Sequence, residues 1–244
     1  MSYTRNMIAK NIAAQLHDGD LVNLGVGIPT LVGNYLPEGV SVLLHGENGC
    51  IGQDRELQNI WDVFDRTSVV SWLREHGDVE NGWKVGHRDL NNASSAPITL
   101  IPGACCFDTV MSFAIARGGH VDVTVLGGLQ VDAQGNLANW TVPGKQVNGM
   151  GGAMDLVNGA KKVIVAMEHC SKNGAPKLLE TCTMPLTAIH CVKMVVTELC
   201  IIEFQDGAPV VVAMAPDMSA EALQSKTGMK LAFAPNVWTM ELPD

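Results

Sequence analysis

Four glycine-rich joints constrain the fold of this chain more than any other feature: "GVGIP" (25–29), "HGENG" (45–49), "LGG" (126–128) and "GMGG" (149–152). Each falls at the end of an apolar run or at the start of a helical one. "LVNLGVG" (21–27), "VSVLLH" (40–45), "ITLIPG" (98–103) and "VDVTVLGG" (121–128) read as strands, the last two as buried ones. Pro29 suits the first turn of a short helix over "TLVGNYL", and "TVMSFAIARGG" reads as a helix between two of the strands. "GMGG" opens a further loop–helix–strand unit up to His169. Strands alternating with short helices predict an α/β fold, an open, largely parallel sheet with flanking helices. In such sheets ligands sit beyond the carboxyl ends of the strands. The gathering of glycine turns at those ends is the physical pointer to a site.

The remaining elements fit the same plan. Met7, Ile8, Ile12 and Leu16 recur at helical spacing, with Gly19 as the stop. "LQVDAQGNLANW" (129–140) predicts a hairpin turning around Ala133 to Asn136. "CIIEF" and "PVVVAMA" read as strands, followed by a short helix from Ser219 to about Thr227. A different texture marks residues 51–92, which carry Trp61, Trp72 and Trp83. Within it, "QDRELQNIWDVF" spaces Leu57, Ile60, Trp61 and Phe64 as on an amphipathic helix. The segment is too apolar for a disordered linker and suits a lid, a partner surface or an extra packed excursion.

Composition excludes several function classes. Of 244 residues, 47% are hydrophobic and 17% charged, enough for a sizeable core. A net charge of −9 argues against nucleic-acid binding through a broad basic surface, although local lysines and backbone N–H groups can still hold an anionic ligand. No apolar run reaches membrane-spanning length, and Arg5, Asn6, Lys10 and Asn11 break up any secretory core. Seven cysteines without a C-x-x-C pair predict a reduced, cytosolic chain. The histidines lack metal-ligand spacing, and His45 and His169 read as satisfied structural residues at strand ends. Thr30 stands where a G-x-G-x-x-G fingerprint needs its third glycine, and no G-x-S-x-G elbow occurs.

Glu47 is the ionisable residue in "HGENG". It is either a solvated turn carboxylate or a nucleophile or general base; Gly46 and Gly49, lacking side chains, would let a ligand approach. The N–H groups of "GMGG" could hold an oxyanion, or the glycines could simply make a tight turn.

Taken together and in order, "DGDLVNLGVGIPTLVGNYLPEGV", "GENG", "IPGACCFDTVMSFAIARGGHVDVTVLGGLQVDAQGNLANWTVPGK", "GMGGAMDLVNGAKKVIVAMEHCSKNGAPKLLETCTMPLT" and "VVTELCIIEF" resemble the B (β) subunit of class I CoA-transferases, the 3-oxoacid or acetate/acetoacetate type. The resemblance implies one CoA-transferase domain over residues 1–244, on an open sheet shared with some sugar-phosphate isomerases, with an atypical Trp-containing insertion at about 51–95. After "ENG" the family has a short Gly/Pro-rich loop, where this chain opens the longer segment instead. A basic or polar family position aligns near Ser95, which cannot supply a charge to CoA.

For function the resemblance implies transfer of CoA between an acyl-CoA and a short-chain acid such as acetoacetate, acetate or butyrate. Glu47 is then the covalent nucleophile, forming a glutamyl-CoA thioester in a ping-pong reaction. The backbone N–H of Gly152 matches an oxyanion donor, and Asn23, Gly25, Asn48, Gly49 and Gly151 match the CoA and substrate region. Coenzyme A is a substrate rather than a cofactor, and no metal is expected. The implied partner is an A (α) subunit in a cytoplasmic hetero-oligomer, with no membrane or nucleic acid. The alternatives are an acyl-CoA hydrolase on the same scaffold and a catalytically silent partner.

A reduced chain needs no disulfide to stay folded. Dithiothreitol is expected to leave the melting temperature unchanged in a thermal melt; a fall of several degrees would contradict the thiol reading.

Overall fold

The computed structural model describes residues 3–56, 63–64, 86–87, 90–93, 98–144, 147 and 149–243. Its strands are β1 (Leu21–Leu24), β2 (Leu43–Gly46), β3 (Cys50–Glu56), β4 (Val63–Phe64), β5 (Gly86–His87), β6 (Ile98–Cys106), β7 (Val123–Gly127) and β8 (Gln130–Asp132). They continue with β9 (Leu137–Ala138), β10 (Lys162–Ala166), β11 (Leu178–Leu179), β12 (Met194–Val196), β13 (Cys200–Gln205), β14 (Ala208–Met214) and β15 (Ala232–Thr239). The α-helices are α1 (Tyr3–Ala13), α2 (Thr109–Arg117), α3 (Ala153–Gly159) and α4 (Ala220–Ser225), and a 3-10 helix covers Pro29–Tyr35.

One ten-stranded sheet runs β15-β14-β13-β12-β10-β7-β1-β2-β3-β6. Its centre, β12-β10-β7-β1-β2, is parallel throughout. Antiparallel strands flank that centre, β3 and β6 on one side and β13 and β14 on the other, with β15 returning parallel to β14. The predicted hairpin forms as β8 and β9, pairing Val131 with Leu137, and β11 adds a third strand. β4 and β5 pair separately.

The central strands are apolar at both parities because both faces are covered. On β10, Val163 and Val165 join one core cluster with Leu126, Leu156, Val195 and Ile202. The alternate residues Ile164 and Ala166 join the other, with Ile8 and Ile12 of α1, Val22, Val123 and Val125. Local signals set the helix starts. Asp108 accepts a hydrogen bond from Met111 N at 2.8 Å at the head of α2, and Ser219 accepts one from Ala222 N at 3.1 Å at the head of α4. Among the described residues no helix is long and apolar enough to cross a membrane.

Two expectations need correction. "QDRELQNIWDVF" is not helical at either described end: Gln53 to Glu56 belong to β3, and Val63 and Phe64 form β4. The three-residue turn after β2 sends the chain straight back into antiparallel pairing, so Gln53 to Glu56 extend a strand. Leu57, Ile60, Trp61, Trp72 and Trp83 lie outside the described residues. "ITLIPG" is a strand, but it is buried only at Ile98 and Thr99. β6 pairs antiparallel with β3 at the end of the sheet, and Pro102 and Gly103 are exposed in its second half. Proline lacks the N–H of an interior ladder, so the edge is where this strand fits.

Ile164 is fully buried at the middle of β10. Replacing it with alanine is expected to cost about 3–4 kcal/mol, read from urea unfolding midpoints; a cost below about 1 kcal/mol would mean the two-faced core is misdescribed.

Candidate active site

The centre of the sheet carries a polar residue where the pattern calls for an apolar one. Asn23 on β1 is 1% exposed and lies in register with His45 on β2 and Thr124 on β7. A buried amide must use its donors and acceptor. Nδ2 of Asn23 donates to the His45 carbonyl at 3.0 Å and to Glu47 Oε2 at 3.1 Å. Its Oδ1 accepts from Thr124 Oγ1 at 3.2 Å. Three strands thus converge on one carboxylate.

Glu47 stands half-buried on the turn joining β2 and β3, closed by Gly49 N donating to Gly46 O at 2.9 Å. The turn demands its last glycine. Gly49 has φ +127°, and a Cβ there would overlap the Phe107 carbonyl oxygen. Phe107 N in turn donates to Gly49 O at 3.0 Å. Asn48 is exposed, and its Nδ2 donates to Asn91 O at 2.6 Å, so its amide fastens the turn to the 90–93 segment.

Gly152, the residue before α3, meets the same carboxylate from 105 positions away along the chain. A Cβ built on it would lie 3.2 Å from Glu47 Cγ and 3.0 Å from the Phe113 ring. Gly151 precedes it, exposed and in the left-handed region at φ +53°. Gly25 is tied to β7, its N–H donating to Val125 O at 2.8 Å, and a Cβ there would press on that carbonyl and on Leu126. The structure therefore brings Asn23, Glu47, Gly49 and Gly152 together, with Gly151 next in line. It places Asn48 on the turn and Gly25 just past the end of β1.

Sequence reasoning passed over three residues here. Thr124 fixes the Asn23 amide, and Phe113 walls Gly152. Ser112, fully buried on α2, lies 3.0 Å from His45 Nε2 and donates to Gly46 O at 3.2 Å. A lone serine inside the apolar helix "TVMSFAIA" was the available signal.

The two strand-end histidines differ. His169 is satisfied at both nitrogens, Nδ1 beside Thr197 Oγ1 at 3.1 Å and Nε2 beside Thr227 Oγ1 at 3.0 Å. His45 is not the fully satisfied residue expected: its buried Nδ1 has no hydrogen-bond partner among the described residues. Burial lowers the pKa of His45 against the upward pull of Glu47 and a smaller one from Ser112. Burial also takes His169 down to about 4, with Lys226 and Lys177 adding to the effect. Among the described residues no group of His, Cys, Asp and Glu side chains could hold a metal ion.

Comparison with known proteins places this geometry in context. The profile of the family described as "Coenzyme A transferase" matches residues 5–60 and 86–226. The chain is 47% identical over 235 residues to the beta subunit of the acetate CoA-transferase of Escherichia coli (strain K12), covering 96% of each chain. It is 39% identical over 238 residues to a subunit of the probable succinyl-CoA:3-ketoacid coenzyme A transferase of Bacillus subtilis (strain 168), covering 97% of this chain and 99% of that one. Among solved structures, the acyl-CoA transferase YdiF apoenzyme of Escherichia coli O157:H7 superposes with a TM-score of 0.71 at 17% identity. That match covers 100% of this chain and 45% of the longer one, and it shows the fold alone.

The buried His169 predicts a pH dependence of stability. Its folded pKa, about 4, lies below the ordinary 6.5, so the unfolded chain binds the extra proton between those values. Stability contributed by neutral His169 is complete above pH 6.5 and is lost as pH falls toward 4. His169→Gln is expected to flatten the urea-midpoint profile in that window by roughly 2–3 kcal/mol at its acid end; parallel profiles for the two proteins would contradict it.

Proposed function

The chain belongs to the coenzyme A transferase family, and on that premise we propose that Glu47 is the nucleophile through which it moves CoA from an acyl-CoA to a short-chain carboxylic acid. One observation carries this reading. The carboxylate is held by the buried Asn23 amide at 3.1 Å, and a glycine, Gly152, faces its Cγ where any side chain would intrude. A solvated turn glutamate needs neither.

The chemistry follows from that arrangement. A Glu47 carboxylate oxygen attacks the thioester carbonyl carbon, and collapse of the tetrahedral species expels CoA thiolate and leaves a mixed anhydride. The thiolate then attacks the Glu47 carbonyl carbon, releasing the first acid and forming a glutamyl-CoA thioester. An acceptor carboxylate runs the sequence in reverse and leaves as its CoA ester, regenerating Glu47. Asn23 occupies Oε2, which orients the carboxylate for attack. Each tetrahedral step places charge on an oxygen. The Gly152 backbone N–H is the proposed donor for it, a contribution of about 3–4 kcal/mol for a preorganised group. Gly151, Gly49, Asn48 and Gly25 complete the proposed CoA-facing rim.

The relatives are themselves named as subunits, one of them as the beta subunit, which supports a working unit with an α subunit as a hetero-oligomer; a cytoplasmic location is part of the same proposal. Their names also support acetate or a 3-ketoacid as the acid class, with CoA as substrate rather than cofactor.

The test is trapping. Incubating the complex with acyl-CoA and then borohydride is expected to modify the peptide bearing Glu47. Glu47→Gln should abolish both labelling and transfer while keeping the wild-type melt. An adduct on another residue would overturn the assignment, and turnover without an acceptor acid would replace transfer by hydrolysis.

A further inference from the structure

Beside the Glu47 turn lies a group of thiols that the transfer reaction does not use. Cys50 begins β3, three residues after Glu47, and pairs across the antiparallel ladder with Cys106, the last residue of β6. Cys105 is the next residue along, paired with Ile51. All three are free thiols; Cys50 is 4% exposed, and Cys105 and Cys106 are exposed.

The ladder defines the kind of pair. Phe107 N donates to Gly49 O at 3.0 Å, a hydrogen bond between the residues flanking Cys50 and Cys106 rather than between the two cysteines. That is the signature of a non-hydrogen-bonded antiparallel pair, whose Cα atoms stand ~4.5 Å apart with side chains on one face. The spacing lies within the ~4.4–6.8 Å that a disulfide spans. Cys105 has no cysteine opposite it.

We propose that Cys50 and Cys106 form a peroxide-sensitive thiol pair whose oxidation closes a cross-strand disulfide at the foot of the Glu47 turn. The accessible Cys106 thiolate attacks one peroxide oxygen, the O–O bond breaks, and a sulfenic acid forms as hydroxide leaves. The Cys50 thiolate then attacks that sulfur, the S–O bond breaks, and a second hydroxide leaves. The two thiol protons convert both hydroxides to water. Two thiols lose two electrons, and one peroxide gains them. Burial raises the pKa of Cys50, partly offset by its hydrogen bond from Gln53, which suits it to the second, resolving step rather than the first.

The consequence for the site is local. Cys50 Sγ accepts from Gln53 Nε2 at 3.2 Å and lies 3.1 Å from where a Gly46 Cβ would stand, directly against the residue before Glu47. Swinging that sulfur toward Cys106 removes the packing under Gly46 and loosens the turn. Oxidation therefore lowers transfer activity; this part rests on the Glu47 reading, whereas the disulfide does not.

The experiment treats the full-length chain, in complex with its α subunit, with hydrogen peroxide and maps thiols by alkylation and mass spectrometry. Two of the seven free thiols are expected to disappear, with the Cys50 peptide linked to the Cys106 peptide and dithiothreitol restoring both. Transfer should fall at least fivefold on oxidation and recover on reduction. Cys106→Ser should keep wild-type transfer before treatment and form no link, whereas Cys105→Ser should still form it. A Cys105–Cys106 link, a link elsewhere, or none would overturn the pair. The expected link with unchanged transfer would overturn only its control of the turn.

Discussion

The site depends on one buried amide. Asn23 sits on the central strand β1, between β2 and β7, and its side chain spends each donor and its acceptor on a different partner. A buried hydrogen bond to a charged group contributes on the order of 1.5–3 kcal/mol, and leaving its partners unpaired costs a similar amount. The amide therefore cannot drift, and the carboxylate it holds cannot drift far either. The His45 carbonyl and the Glu47 carboxylate can only accept, so they set which way the amide faces, and Thr124 on β7 satisfies the oxygen left over.

Around that point the architecture serves to keep backbone still. The central parallel strands are covered on both faces, which makes them the least deformable part of the sheet. The Glu47 turn is attached to this rigid centre through β2 and leans on the end of β6 through Gly49 and Phe107. Ser112 on α2 adds a third support. It bonds the Gly46 carbonyl and has His45 Nε2 alongside, so the residue before Glu47 is held from the helix layer too. Because Gly46 O can only accept, the serine hydroxyl that donates to it takes the imidazole N–H from Nε2. Nδ1 is then the bare nitrogen of a neutral ring, in keeping with a pKa lowered by burial.

Most of the scaffold was legible in the chain. β1, β7, β10, β13 and β14, the β8–β9 hairpin, and α1, α2 and α4 lie where apolar runs, turn residues and caps put them. What went unread has physical causes. β11, β12 and β15 are short or exposed, and long-range pairing makes them strands. β3 runs on as a strand through Gln53 to Glu56, where a tight turn and two neighbouring strands decide the conformation. His45 looked like an ordinary strand-end histidine because nothing along the chain shows that one ring nitrogen has an acceptor to serve and the other does not.

The sequence by itself determined where the chain could bend and what chemistry it could present. Those are local properties: Gly49 adopts a φ that side chains disfavour, "GENG" puts a carboxylate on a strand-end turn, and apolar runs of both parities require cover on two faces. Only the tertiary structure decided that residues 23, 47, 124 and 152 meet. They come from β1, the β2–β3 turn, β7 and the head of α3. No local preference encodes that meeting, because it follows from the order in which parallel strands stack and from a register that sets Asn23 level with both His45 and Thr124.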